Sequence, residues 1–301
     1  KVVGKSYHKA LVIFIDILEV KNREDFDILY HVNSIFHNQL EKNQQQDQSH
    51  TVYGGHIYTF SDCSYIIYDF KEGVDESRKD IQKLMNVALY NTQTLIQEFL
   101  FNGFICRGGV AYGDIYYEKA RSLLFGPAVN SAYYLETESL NIREYAIDDF
   151  VAEKVISYHQ QLLKAAPSEE QREFIKSVNG DIILQDSDSC YYLNYLCSVK
   201  QGHDYYHGKE LLRRLRELID NEVRIQQSNP KKEEAQKILA KYQWLSSYID
   251  DSIPAQNTGS TLLILIFNNI FKKGTYLEDG CLFLQKVVFA IAYVTIPKGL
   301  S

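Results

Sequence analysis

Residues 10–15, Ala-Leu-Val-Ile-Phe-Ile, are apolar at every position, and the run ends on Asp16. A β-branched run without alternation predicts a strand buried on both faces, with a carboxylate at its C-terminal tip. The period then changes. Between Glu24 and Asn43, the residues Phe26, Leu29, Val32, Phe36 and Leu40 recur at helical spacing, and the polar stretch 43–49 closes an amphipathic helix. Residues 51–60 and 63–70 are rich in Tyr, Ile and Val and flank the short Ser61-Asp62 turn, which predicts a hairpin with Asp62 at its apex.

Ile81, Leu84, Ala88, Leu95 and Phe99 mark a second long helix, after which residues 104–112 and 123–125 return to strand character. Gly126-Pro127 opens a further helix through Glu136, with Asn130 and Tyr134 on one face. Residues 143–147 predict another strand, and 180–185 with 191–197 a last hairpin. The order is that of an α+β fold, one sheet with flanking helices. Residues 208–227 and 231–249 are long, charged and helix-favouring around Pro230, which predicts a helical hairpin. The division is 1–200 for the main domain, 201–254 for the hairpin extension and 255–301 for a tail that follows neither pattern.

Composition narrows the function classes. The chain has 301 residues and a formal net charge of -7, so it offers no basic field for nucleic acid. Five cysteines without a CxxC pair suit a reducing compartment, and no run approaches the roughly 18 apolar residues of a membrane span. A cytoplasmic protein, with no membrane and no nucleic-acid partner, is expected.

Asp16 and Asp62 are the chemical candidates. Read singly, Asp62 is also a common turn residue and Asp16 a common cap. Read together, two carboxylates at converging strand ends suit two divalent cations, because Mg2+ takes one or two protein carboxylates and completes its shell with phosphate and water.

Four segments in one order, FIDIL, TFSDCSYIIY, RGGVAYGD and LFGPAVNSAYYLE, resemble the catalytic domain of class III adenylate and guanylate cyclases over roughly residues 7–200. The resemblance implies a ferredoxin-like βαββαβ core and a pair of metal aspartates at Asp16 and Asp62, with the Ile17 carbonyl as a further ligand. Arg107, Gly109 and Gly113 match the family's R-x-G-x-x-x-G strand, and Gly126, Val129, Asn130 and Ala132 match its G-x-x-V-N-x-A helix. It also implies Mg2+ or Mn2+, two per site, and a homodimer in which Asn130 of one chain completes the site of the other.

The departures bear on the substrate. Tyr58 and Leu123 stand where purine cyclases carry a base-reading Lys and Asp. A Tyr ring fills space that a two-ring base needs, which favours a pyrimidine; packing of Tyr58 on the sheet is the plainer alternative. In this the chain looks most like the pyrimidine nucleotide cyclases of the bacterial Pycsar antiphage system. That implies cyclic UMP or cyclic CMP as product, read by a separate effector protein; the choice between the two bases stays open. Glu19 replaces a family Gly, and Lys21 is a candidate for phosphate contact. Tyr134 replaces the transition-state Arg, with Arg107 or Arg143 as possible substitutes. An adenylate or guanylate cyclase with other base contacts, and an inactive cyclase-like domain, remain the competing expectations. A diguanylate cyclase is not expected, because Gly54-Gly55 leads into His56-Ile57 rather than into acidic residues.

Overall fold

The computed structural model describes residues 5–18, 25–45, 51–138, 145–179, 181–186, 188–200, 205–229 and 232–251. The first unit runs β1 (His8–Ile17), α1 (Phe26–Gln45), β2 (Tyr53–Phe60), β3 (Cys63–Phe70), α2 (Ile81–Phe101) and β4 (Cys106–Glu118). Its strands stand in the order β2-β3-β1-β4, every neighbouring pair antiparallel. This is a ferredoxin-like βαββαβ sheet.

β5 (Leu123–Phe125) pairs with β4 outside this row, and α3 (Pro127–Glu138) follows it. β6 (Tyr145–Ile147), parallel to β4, leads to α4 (Asp149–Ala165) and α5 (Glu169–Asn179). β7 (Ile183–Gln185) and β8 (Tyr191–Leu193) extend the sheet in the order β6-β8-β7. A short α6 (Cys197–Lys200) precedes α7 (Tyr205–Gln227) and α8 (Lys232–Asp251).

β1 is buried on both faces, and its period of two separates two cores. Leu11, Ile13, Ile15 and Ile17 pack with Phe36 of α1, Leu89 and Phe99 of α2, and Val151 of α4. Ala10, Val12 and Phe14 pack on the opposite face with Ala128, Val129 and Ala132 of α3. α7 and α8 join the first core through Leu211, Leu215, Leu245 and Ile249. Arg214 fixes them by donating to the Phe101 carbonyl at 2.6 Å, with its guanidinium 4.1 Å from the Phe101 ring centre.

The largest departures from the expected boundaries are at the ends of two strands. β4 runs six residues past Tyr112, because Asp114 and Ile115 continue the ladder with β1, and Tyr116, Tyr117 and Glu118 pair with β5. The last strand stops at Leu193, and Cys197 begins a helical turn instead of ending a strand. Glu19, Lys21, Arg143 and the tail 255–301 lie outside the described residues. Among the described residues no helix is long and apolar enough to cross a membrane.

Candidate active site

The sheet register brings the site together. Asp16 pairs with Cys63 of β3 on one side and with Arg107 of β4 on the other. Because Phe14, Asp16, Arg107 and Gly109 share the α3 face by alternation, the Arg107 side chain meets the Asp16 carboxylate. Arg107 donates to Asp16 Oδ2 from Nε at 3.1 Å and from Nη2 at 2.9 Å.

Asp62 reaches the same place through the hairpin turn. Ser61 takes a positive φ of 56°, which reverses the chain in two residues between Phe60 and Cys63. The Ile17 N–H donates to the Asp62 carbonyl at 3.1 Å, so the two aspartates are held on adjacent strand ends. Asn33 of α1 secures the turn by donating to the Ser61 carbonyl at 2.9 Å and to the Leu29 carbonyl at 2.8 Å. Asp62 is buried and Asp16 is half-buried.

Glu136 completes the cluster from α3. Its carboxylate Oε1 lies 2.6 Å from Arg107 Nε, and its side chain is only 2% exposed. Burial raises the Glu136 carboxyl above the usual range; nearby Arg107 opposes that rise and Asp16 adds to it. Arg107 therefore serves two carboxylates within its own chain. Gly109 permits this contact: a Cβ there would lie 2.1 Å from the Ala132 carbonyl oxygen, so no other residue lets α3 approach β4 so closely.

Of the other expected residues, Ile17 meets Asp62 through its backbone N–H, and Tyr58 lies on the α3 face of the sheet. Tyr58 is buried in the apolar layer that holds Ala128 and Val129, and its hydroxyl has no hydrogen-bond partner among the described residues. Burial, with help from Asp69, holds that hydroxyl above its usual pKa. Beside it the face turns polar: Tyr117, whose ring centre is 6.5 Å from that of Tyr58, donates to Asp69 Oδ2 at 2.9 Å. Asn130 and Tyr134, one turn apart, are both exposed on the outer surface of α3. Leu123, in β5, is half-buried.

Several solved chains resemble this one, among them two bacterial light-regulated adenylyl cyclases. One shares 16% identity over 50% of this chain and 47% of its own length, with a TM-score of 0.35. The other shares 13% identity over 69% of this chain and 59% of its own length, with a TM-score of 0.38. The chain thus spans about half to three fifths of the proteins it matches. No protein-family model and no curated protein matches it.

Glu136 and Asn33 are the site residues that sequence reading missed. Glu136 had a legible signal: Val129, Ala132 and Glu136 fall at i, i+3 and i+7 on the buried stripe of α3. A carboxylate on such a stripe calls for a cation. Asn33 had none, because its partners are backbone carbonyls that only the tertiary structure brings near.

Proposed function

We propose that this chain is a nucleotide cyclase that closes a pyrimidine nucleoside triphosphate, UTP or CTP, into its 3',5'-cyclic monophosphate and releases pyrophosphate. The observation that carries the reading is the meeting of Asp16 and Asp62 on adjacent strand ends of a ferredoxin-like sheet.

The donor set suits hard divalent cations, since two aspartates stand on adjacent strand ends and Asp16 engages Arg107 through Oδ2 alone. Asp16 and Asp62, with the Ile17 carbonyl, would hold two Mg2+ or Mn2+. Bound there, the ions supply acidity to the 3'-hydroxyl and charge for the departing pyrophosphate. Arg107 donates to Asp16 Oδ2 and lies beside the Glu136 carboxylate. Lys21 is assigned to the phosphates. The Tyr58 hydroxyl, buried and without a hydrogen-bond partner among the described residues, suits a single hydrogen bond to a base edge, and Leu123 offers no charge to a purine. Asn130 and Tyr134, exposed on α3, orient ribose and α-phosphate in the site of a second copy. Tyr134 contributes a neutral donor where a guanidinium would otherwise stand.

The reading includes a homodimer with shared active sites in the bacterial cytoplasm. The motif resemblance supports an alarm signal in antiphage defence, with a separate effector reading the product. The test is incubation with ATP, GTP, CTP and UTP plus Mn2+, with products identified by mass spectrometry. Cyclic UMP or cyclic CMP is expected, reduced about a hundredfold or more in Asp62→Ala. A purine product would overturn the pyrimidine assignment, and no product from any triphosphate would overturn the activity.

A further inference from the structure

A single guanidinium shared by two carboxylates is an exchangeable pair. Arg107 Nε lies 3.1 Å from Asp16 Oδ2 and 2.6 Å from Glu136 Oε1, and its Nη2 adds a 2.9 Å bond to Asp16. The Arg107 side chain is 34% exposed and that of Glu136 2%, so the cation has room to turn while the buried carboxylate stays fixed. Its N–H groups satisfy Asp16 in the present arrangement. A divalent cation on Asp16 and a guanidinium on the same oxygen repel one another, and one must give way.

We propose that Glu136 is a positioning residue that draws the Arg107 guanidinium off Asp16 and thereby opens that carboxylate to a divalent cation. Without cation, Arg107 neutralises Asp16 and keeps two nearby carboxylates from repelling. With cation, Arg107 turns towards Glu136, whose buried carboxylate already lies 2.6 Å from its Nε. The inference rests on the assignment of Asp16 as a cation ligand.

The test is Mn2+ binding, followed by the Mn2+ electron paramagnetic resonance signal and by calorimetry, on wild type, Asp16→Asn, Glu136→Gln, Arg107→Gln and the Arg107→Gln/Glu136→Gln pair. Wild type is expected to bind Mn2+ and Asp16→Asn to lose most of that binding. If wild type does not bind, or Asp16→Asn binds as well as wild type, the assignment of Asp16 fails. Glu136→Gln is expected to weaken binding about tenfold, because Arg107 then has Asp16 alone as partner. Most of that loss should vanish in the Arg107→Gln background. An unchanged affinity in Glu136→Gln, or an equal loss with and without Arg107, would overturn the positioning role while leaving Asp16 a ligand. Should Glu136→Gln not fold, Glu136→Asp keeps the charge but withdraws it from Arg107, and a smaller loss in the same direction is expected. Full wild-type affinity in Glu136→Asp would count against the proposal.

Discussion

Gly109 is the narrowest contact between the sheet and the helix that carries Asn130 and Glu136. A Cβ at this position would meet the Ala132 carbonyl oxygen at 2.1 Å and Leu135 Cβ at 2.8 Å, so α3 must shift as a body. Gly109→Ala is expected to cost about 2–3 kcal/mol in a denaturant titration and to lower turnover further, because Glu136 moves away from Arg107. Tyr58 should behave in the opposite way. Its buried hydroxyl finds no partner among the described residues, and Tyr58→Phe is expected to leave stability unchanged or raise it by about 1 kcal/mol. If that hydroxyl reads the base, the same variant raises KM for its triphosphate; an unaltered KM would reduce Tyr58 to a packing residue.

At the scale of elements, α2 and α4 are joined by a buried histidine. His159 Nε2–H donates to Asn86 Oδ1 at 2.7 Å, and burial lowers the His159 pKa from 6.5 to about 4. The folded state therefore resists a proton that the unfolded chain accepts. This contribution is fully present above about pH 6.5 and is lost progressively as the pH falls towards about 4, amounting to roughly 3 kcal/mol at most. The melting temperature should drop between pH 7 and pH 5, and His159→Gln should flatten that slope. An equally steep slope in the variant would place the acid sensitivity elsewhere.

For the molecule as a whole, two consequences concern what must be present together. Asn130 and Tyr134 face outward, so a shared site requires a second copy. Asp62→Ala and Asn130→Ala, each inactive alone, are expected to regain about a quarter of wild-type activity when unfolded and refolded together, because half the dimers then carry one intact site. No recovery on mixing would mean that each chain works alone. The helical hairpin is the second matter: α7 and α8 contribute Leu215, Leu245 and Ile249 to the core that lies behind β1. Tyr248 also donates to Asn194 at 2.6 Å and accepts from the Leu196 N–H at 2.9 Å. A chain ended at residue 200 is expected to lose cooperative unfolding, read by circular dichroism, since that apolar surface would face water.

Local pattern determined a good deal. The unbroken apolar run before Asp16, the helical spacing of α1 and α2, and the turn between two Tyr- and Ile-rich strands are each settled within about twenty residues, because side-chain periodicity reports burial directly. The placement of Asp16 and Asp62 at strand ends was legible for the same reason. What the tertiary structure decided depends on register and packing between distant segments. Arg107 meets Asp16, and Glu136 meets Arg107, only because β4 lies beside β1 and Gly109 lets α3 close on it. β4 extends to Glu118 because β1 and β5 offer backbone partners that its own composition does not announce. Asn33 acquires its role from a carbonyl 28 residues away. Such contacts are absent from sequence pattern because hydrogen bonds and charges act through distance in space, whereas periodicity speaks only of neighbours along the chain.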